Sequence, residues 1–121
     1  MIKVYVAGKL NDQSCGYIKN MHRMIKLADM IRSMGFSVFI PCLDFLSGLV
    51  CGDYEYQDYF ENNLPWLESS DYVYVIADSE NSKGTQREIA RARELGIPVV
   101  TSIMYFKKLR DDDERKAFNK I

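Results

Sequence analysis

The stretch Asp71-Tyr-Val-Tyr-Val-Ile-Ala-Asp78, followed by Ser82-Lys-Gly-Thr-Gln-Arg-Glu88-Ile-Ala-Arg-Ala92, constrains the fold more than any other part of the chain. It reads as a buried strand, a short polar loop with one glycine, and a helix. The strand residues are β-branched or aromatic without a polar residue at every second place, the pattern of a parallel strand covered on both faces. Glu88 then falls in the first turn of the expected helix, at the carboxyl end of the strands, where open α/β sheets bind ligands. A helix start favours negative charge, so Glu88 is expected to be ionised and able to serve as a nucleophile. The same residues also spell a capping box, with Thr85 as N-cap and Glu88 at the third helical position. Local sequence leaves both roles open.

The rest of the chain repeats this alternation. Ile2 to Ala7 reads as a nearly buried strand ending at Gly8. Residues from about Tyr17 to Met34 follow a helical period, with Ile18, Met21, Ile25, Ala28 and Ile31 as the apolar stripe and Gly35 as the stop. Phe36 to Ile40 is a second strand, and Cys42 to about Asp53 is loop-like, with Gly48 and Gly52 as turn residues. A helix is expected from about Tyr54 to Glu68, kinked or restarted at Pro65. Tyr72 to Ala77 is the third strand, Thr85 to Leu95 a helix, Ile97 to Ile103 a fourth strand, and a charged helix closes the chain. These elements define one α/β domain over residues 1–121. Its core is a parallel sheet of four to five strands with helices on both faces, flavodoxin-like or Rossmann-like.

Composition narrows the function. With 27% charged residues, a net charge of −1 and no basic track, the chain carries no electrostatic footprint for a nucleic acid polymer. Its basic run, Lys107-Lys108-Leu109-Arg110, meets Asp111-Asp112-Asp113-Glu114 at once. Cys15, Cys42 and Cys51 are odd in number and lack CxxC spacing, which favours reduced thiols over a disulfide frame or a zinc site. No apolar run approaches a membrane span and no signal peptide is evident, so a soluble, cytoplasmic protein without a membrane partner is expected.

Three loops leave the carboxyl ends of the first three strands. Ala7-Gly8-Lys9-Leu10-Asn11-Asp12 is not a GxGxxG fingerprint, so no dinucleotide cofactor is indicated. Gly8 would let a ligand approach the backbone, and Lys9 would meet a phosphate or simply be a solvated loop lysine. In the third loop Ser82, Lys83 and Gly84 set a hydroxyl and backbone amides near a helix start, which suits an anion. His22 has no second ligand at metal spacing and reads as a surface residue. Tyr54-Glu-Tyr-Gln-Asp58-Tyr-Phe-Glu61-Asn-Asn63-Leu-Pro-Trp66 has two readings. The plainer one packs Tyr56, Phe60 and Trp66 into the sheet with the acids outside; the other stacks the aromatics on a base and uses an acid to protonate a leaving group.

Together these segments resemble the nucleoside 2-deoxyribosyltransferase-like family, nearest its small 2′-deoxynucleoside 5′-phosphate N-hydrolases. The likeness covers roughly the first hundred residues. It rests on Val4-Tyr-Val-Ala-Gly8, Pro41-Cys-Leu-Asp44, Leu64-Pro-Trp-Leu-Glu-Ser-Ser-Asp71 and Gly84-Thr-Gln-Arg-Glu88-Ile-Ala-Arg-Ala92. It implies an N-glycosidase, hydrolase or transferase, in which Glu88 attacks the anomeric carbon and Tyr5 helps to position it. It also implies a ligand site built from Gly8, Lys9, Leu10, Asp44, Ser82, Lys83 and Gly84, with Ser82 on the phosphate where the transferases have an aspartate. No metal or cofactor is called for, and the partners implied are a small nucleotide or nucleoside and a second copy of the chain. That copy would make a homodimer or higher assembly, each neighbour contributing part of the other's pocket. The chain departs from the family at Asn63, where a catalytic aspartate is usual, and at Ala90 and Lys9, where glycine and proline are usual. With an amide at 63, either Asp58 or Glu61 supplies the proton for the departing base or the site only binds. The second reading is accordingly a non-catalytic protein that captures a nucleotide or nucleotide-derived signal. A third takes Gly84-Thr85-x-x-Glu88 as the motif of the cytokinin-type nucleotide phosphoribohydrolases, without their preceding glycine-rich run.

Overall fold

The computed structural model describes residues 1–10, 14–52 and 54–119, with the side chains of residues 14, 44, 45, 49 and 117–119 outside that description. Strands β1 (Lys3–Ala7), β2 (Ser37–Phe39), β3 (Tyr72–Val75) and β4 (Val99–Val100) form one parallel sheet in the order β2-β1-β3-β4. The chain runs from β1 outward to β2 on one side and returns to β3 on the other. The reversal between β1 and β3 is the switch point at which such sheets open a crevice.

Alternation along the strands builds two apolar layers. Val4, Val6, Tyr74 and Ile76 face helix α1 (Ser14–Ser33) and helix α5 (Ile103–Asn119), where they meet Met24, Ala28, Ile31 and Phe106. Tyr5, Ala7, Val73 and Val75 face helix α3 (Tyr56–Glu68) and helix α4 (Lys83–Glu94), and meet Leu67, Ala92 and Ile89. Helices therefore cover both faces, and each strand is apolar on both sides, as a doubly covered parallel sheet requires. Arg91 of α4 ties the outer layer together, its Nη2 2.6 Å from Glu68 Oε2 of α3.

Four expectations are corrected. The buried stripe of α1 runs through Met24, Ala28 and Ile31, with Met21, Leu27 and Met34 beside it, while Ile18 and Ile25 are exposed. The segment after β2 is helical: a 3₁₀ turn (Pro41–Leu43) leads into α2 (Asp44–Cys51). Gly48 lies inside α2, where a Cβ would collide with the Tyr59 hydroxyl, and Gly52, at φ 110°, ends it. Pro65 is carried inside α3 and exposed, so the helix continues through it and does not restart there. The fourth strand is only Val99–Val100, because Ser102 already caps α5, its Oγ accepting from Met104 N at 3.2 Å.

Candidate active site

The loops at the carboxyl edge of β1 and β3, together with the inner faces of α3 and α4, enclose a cavity of about 1020 Å³. Tyr5, Asn63, Glu88, Gly8, Lys9, Leu10, Ser82, Lys83 and Gly84 all line it. Asp44 belongs to α2, but its side chain lies outside the described residues, as do Asn11 and Asp12 of the first loop.

Helix α4 starts earlier than the capping box implies. Ser82 is the N-cap, and its Oγ accepts from Thr85 N at 3.3 Å and from Thr85 Oγ1 at 3.0 Å. Thr85 is buried within the first turn and Glu88 stands almost a turn further on, so Glu88 caps nothing. Ser82 also lines the cavity, so its hydroxyl and the first backbone amides of α4 meet there.

Glu88 points down onto β1. Part of its surface opens into the cavity, but the surrounding protein deprives the carboxyl of water. This burial pushes its pKa up to about 7, and a hydrogen bond donated by the buried Tyr5 hydroxyl pulls the other way. The expectation of a fully ionised carboxylate is thus corrected: away from the first turn the helix dipole contributes little, and desolvation dominates. Tyr5 itself is held by Phe39, its neighbour across the β1–β2 ladder, with the rings stacked 5.5 Å apart. Trp66 stacks on the far side of Phe39 at 5.4 Å.

The glycines serve packing as well as access. A Cβ on Gly8 would stand 2.8 Å from Ile76 Cδ1, so the bare backbone lets the first loop cross the end of β3. Lys9 presents an exposed side chain, while its backbone N–H is donated to the buried Ser79 Oγ at 3.0 Å. On Gly84 a Cβ would lie 2.9 Å from the Tyr56 hydroxyl. Buried Asn63 accepts from Asn62 Nδ2 at 3.4 Å. Asp58 and Glu61 do not line the cavity: Asp58 Oδ2 accepts from Glu55 N at 2.9 Å, and Glu61 Oε1 from Gln57 Nε2 at 3.2 Å, both on the exposed side of α3.

Of the two readings of the α3 aromatics, the one that packs Tyr56 and Phe60 into the sheet is overturned, and Arg87 is a wall residue that sequence reading missed. Tyr56, Tyr59 and Phe60 line the cavity rather than the core, and Trp66 is half-exposed over Phe39 instead of packing into the sheet. Arg87 crosses from α4 with its Cζ 3.8 Å from the centre of the Phe60 ring and 5.7 Å from that of Tyr56. The Tyr56 phenol is pushed up by burial, opposed by Arg87 and reinforced by Glu88. The signal was present in the spacing, since Tyr56, Phe60, Asn63 and Leu67 recur at helical intervals on one face. Among the described residues no three His, Cys, Asp or Glu side chains converge to hold a metal ion, and no helix is long and apolar enough to cross a membrane.

The strand order and the two covered faces fit the nucleoside 2-deoxyribosyltransferase-like family that the sequence resembles, and a solved 2-deoxyribosyltransferase shares the fold. The chain belongs to the family described as Domain of unknown function (DUF4406), whose model matches residues 2–101. Among solved structures it is similar to the 2-deoxyribosyltransferase of the psychrotolerant bacterium Bacillus psychrosaccharolyticus, at 25% identity over 80% of this chain and 69% of that one, with a TM-score of 0.62. It also shares its fold with a conserved protein from Enterococcus faecalis, at 21% identity over 94% of this chain and 76% of that one, with a TM-score of 0.64. No curated protein matches the chain significantly.

Proposed function

We propose that this protein is an N-glycosidase that cleaves the base–sugar bond of a 2′-deoxynucleoside 5′-monophosphate or a close analogue, by hydrolysis or by transfer to a second base. The observation that carries this reading is the Tyr5–Glu88 hydrogen bond in a cavity that also contains the start of α4. Ser82 and Gly84 precede Glu88 by six and four residues, or about 6–9 Å along the helix axis. That is comparable with the span between the 5′-phosphate and the anomeric carbon of one nucleotide. A phosphate held by the Ser82 hydroxyl and the Lys83 and Gly84 amides brings C1′ over Glu88. Similarity to the Bacillus psychrosaccharolyticus 2-deoxyribosyltransferase supports glycosyl chemistry on a small nucleoside-type ligand.

In the first step a Glu88 carboxylate oxygen bonds to C1′ as the C1′–N bond breaks, and its electron pair leaves with the base, which takes a proton from water. Water or a second base then attacks C1′ and releases the carboxylate. Tyr5 stabilises the ionised glutamate at the start and end of the cycle.

A specific observation favours the second reading, a binding protein that uses the same pocket. Asn63 occupies the place of the expected acid, and Asp58 and Glu61 face away from the cavity. Incubation with a panel of nucleoside monophosphates, followed by chromatography for free base and for retained intact ligand, separates the two. Free base supports the enzyme; stoichiometric intact ligand without base release supports capture.

A further inference from the structure

The proposed monophosphate uses the floor and one corner of the cavity and leaves a wall of aromatic rings unexplained. We propose that this wall is a second ring subsite, and that the preferred ligand is a dinucleotide: two nucleosides joined 5′ to 5′ through a pyrophosphate. The inference rests on the proposed function, since it places the first nucleoside and its phosphate as described above.

Three observations carry it. The first is size: about 1020 Å³ stands at the upper limit of the range of roughly 300–1,000 Å³ typical of small-molecule pockets, whereas a mononucleotide is a small ligand of about two dozen heavy atoms. The second is position. The wall begins at the phosphate corner, where the Tyr56 hydroxyl packs over Gly84. From Tyr56 it continues through Phe60 to Asn63, seven residues of α3, or about 10 Å. A group attached beyond a phosphate at Ser82 to Gly84 therefore meets Tyr56 and Phe60.

The third is chemistry. Arg87 lies over Phe60 at 3.8 Å and its Nη1 reaches Gln57 Oε1 at 3.4 Å, so its guanidinium plane is held in place. Phe60 covers one face of that plane, and Arg87 is otherwise exposed, which leaves a surface on which a base can stack. Lys9, Lys83 and Arg87 line the same cavity and supply three cations around the phosphates. Charge alone accepts a monophosphate or a pyrophosphate. Stacking against rings and guanidinium rewards only a ligand that carries a second base, and it tolerates any base because each has a π-face.

Calorimetric titration with matched pairs tests this: AMP against diadenosine 5′,5′-pyrophosphate, and UMP against its diuridine counterpart. The dinucleotide of at least one pair should bind roughly tenfold or more tightly than its monophosphate. Phe60→Leu and Arg87→Gln should each bring that ratio toward one. Phe60→Leu keeps apolar volume, and Arg87→Gln changes an exposed side chain, so if the first variant fails to fold the second carries the test. A ratio near one in the unmodified protein, or a ratio unchanged in the folded variants, overturns the second subsite while leaving the mononucleotide reading intact. The first of these is also the result expected if a second copy of the chain fills the wall. Failure of all four ligands to bind overturns the second subsite, whereas the proposed function falls separately, if no 2′-deoxynucleoside monophosphate of the panel is bound or cleaved.

Discussion

At the scale of single residues the chemistry turns on the proton of Glu88. Its ordinary value of 4.5 is raised to about 7 in the folded protein. Between those values the folded state holds a proton that the unfolded chain has lost, so this contribution to stability is full below about pH 4.5 and disappears as the pH rises through about 7. Glu88→Gln removes the penalty, and its amide oxygen still accepts from Tyr5. The variant should release no base, and above pH 7 it should be more stable than the parent by on the order of 1–3 kcal/mol. Urea unfolding at pH 4 and pH 8 checks this, with the gap expected only at the higher pH. A nucleophile must be ionised, so kcat/KM for base release should rise with pH to a plateau above about 7. Tyr5→Phe deletes the hydrogen bond that favours the carboxylate and should move that midpoint upward. A pH profile that does not move would remove Tyr5 from the mechanism.

At the scale of elements, the start of α4 serves both stability and recognition. Ser82 caps the helix through Thr85 N, and Ser82→Ala should cost about 1 kcal/mol. Aspartate caps equally well but sets a negative charge where the phosphate is proposed to sit. Unmodified protein should bind nucleoside monophosphates better than nucleosides by on the order of 1–3 kcal/mol. Ser82→Asp should erase that preference and leave the melting temperature close to the parent's. Calorimetry with a nucleoside and its monophosphate, alongside a melting curve, reads both arms. Equal affinities in the unmodified protein would move the reading toward a transferase on nucleosides or an unrelated binder.

For the whole molecule, the edge beside β2 carries exposed apolar side chains: Leu43, Leu46 and Val50 along the 3₁₀ turn and α2, and Trp66 over Phe39. Val50, at 85% exposure, lies one turn from Leu46 at 57%, so the two share one helix face. Apolar faces of this kind mark contact surfaces, and the family resemblance implies a homodimer. Light scattering at micromolar concentration is expected to give at least twice the mass of the 121-residue chain. Leu46→Lys with Val50→Lys should yield a folded monomer, since neither side chain is in the core. A parent protein already monomeric at that concentration would contradict this.

The parallel sheet and its two covered faces were legible in the sequence because each is written in short-range pattern, whereas the pairing of Tyr5 with Glu88 was only implied by the family resemblance. Unbroken apolar runs such as Val73 to Ile76 need cover on both sides, and Gly35 and Gly96, both at positive φ, end helices as glycines do. Elsewhere local pattern pointed the wrong way. The capping box assigns the N-cap to Thr85, but Thr85 is buried and donates to Ser82, which takes the role. The glycines of the segment after β2 look like turns, yet one sits inside α2 and makes room for the Tyr59 ring of another helix. The tyrosines of α3 have the spacing of a buried stripe, and only the placement of α4 turns that stripe into a cavity wall under Arg87. The protonation of Glu88 belongs to the same class. Helix position and charge are local properties, but water is withheld from the carboxyl by strand, helix and loop residues distant in sequence, and that desolvation exists only once the chain has folded.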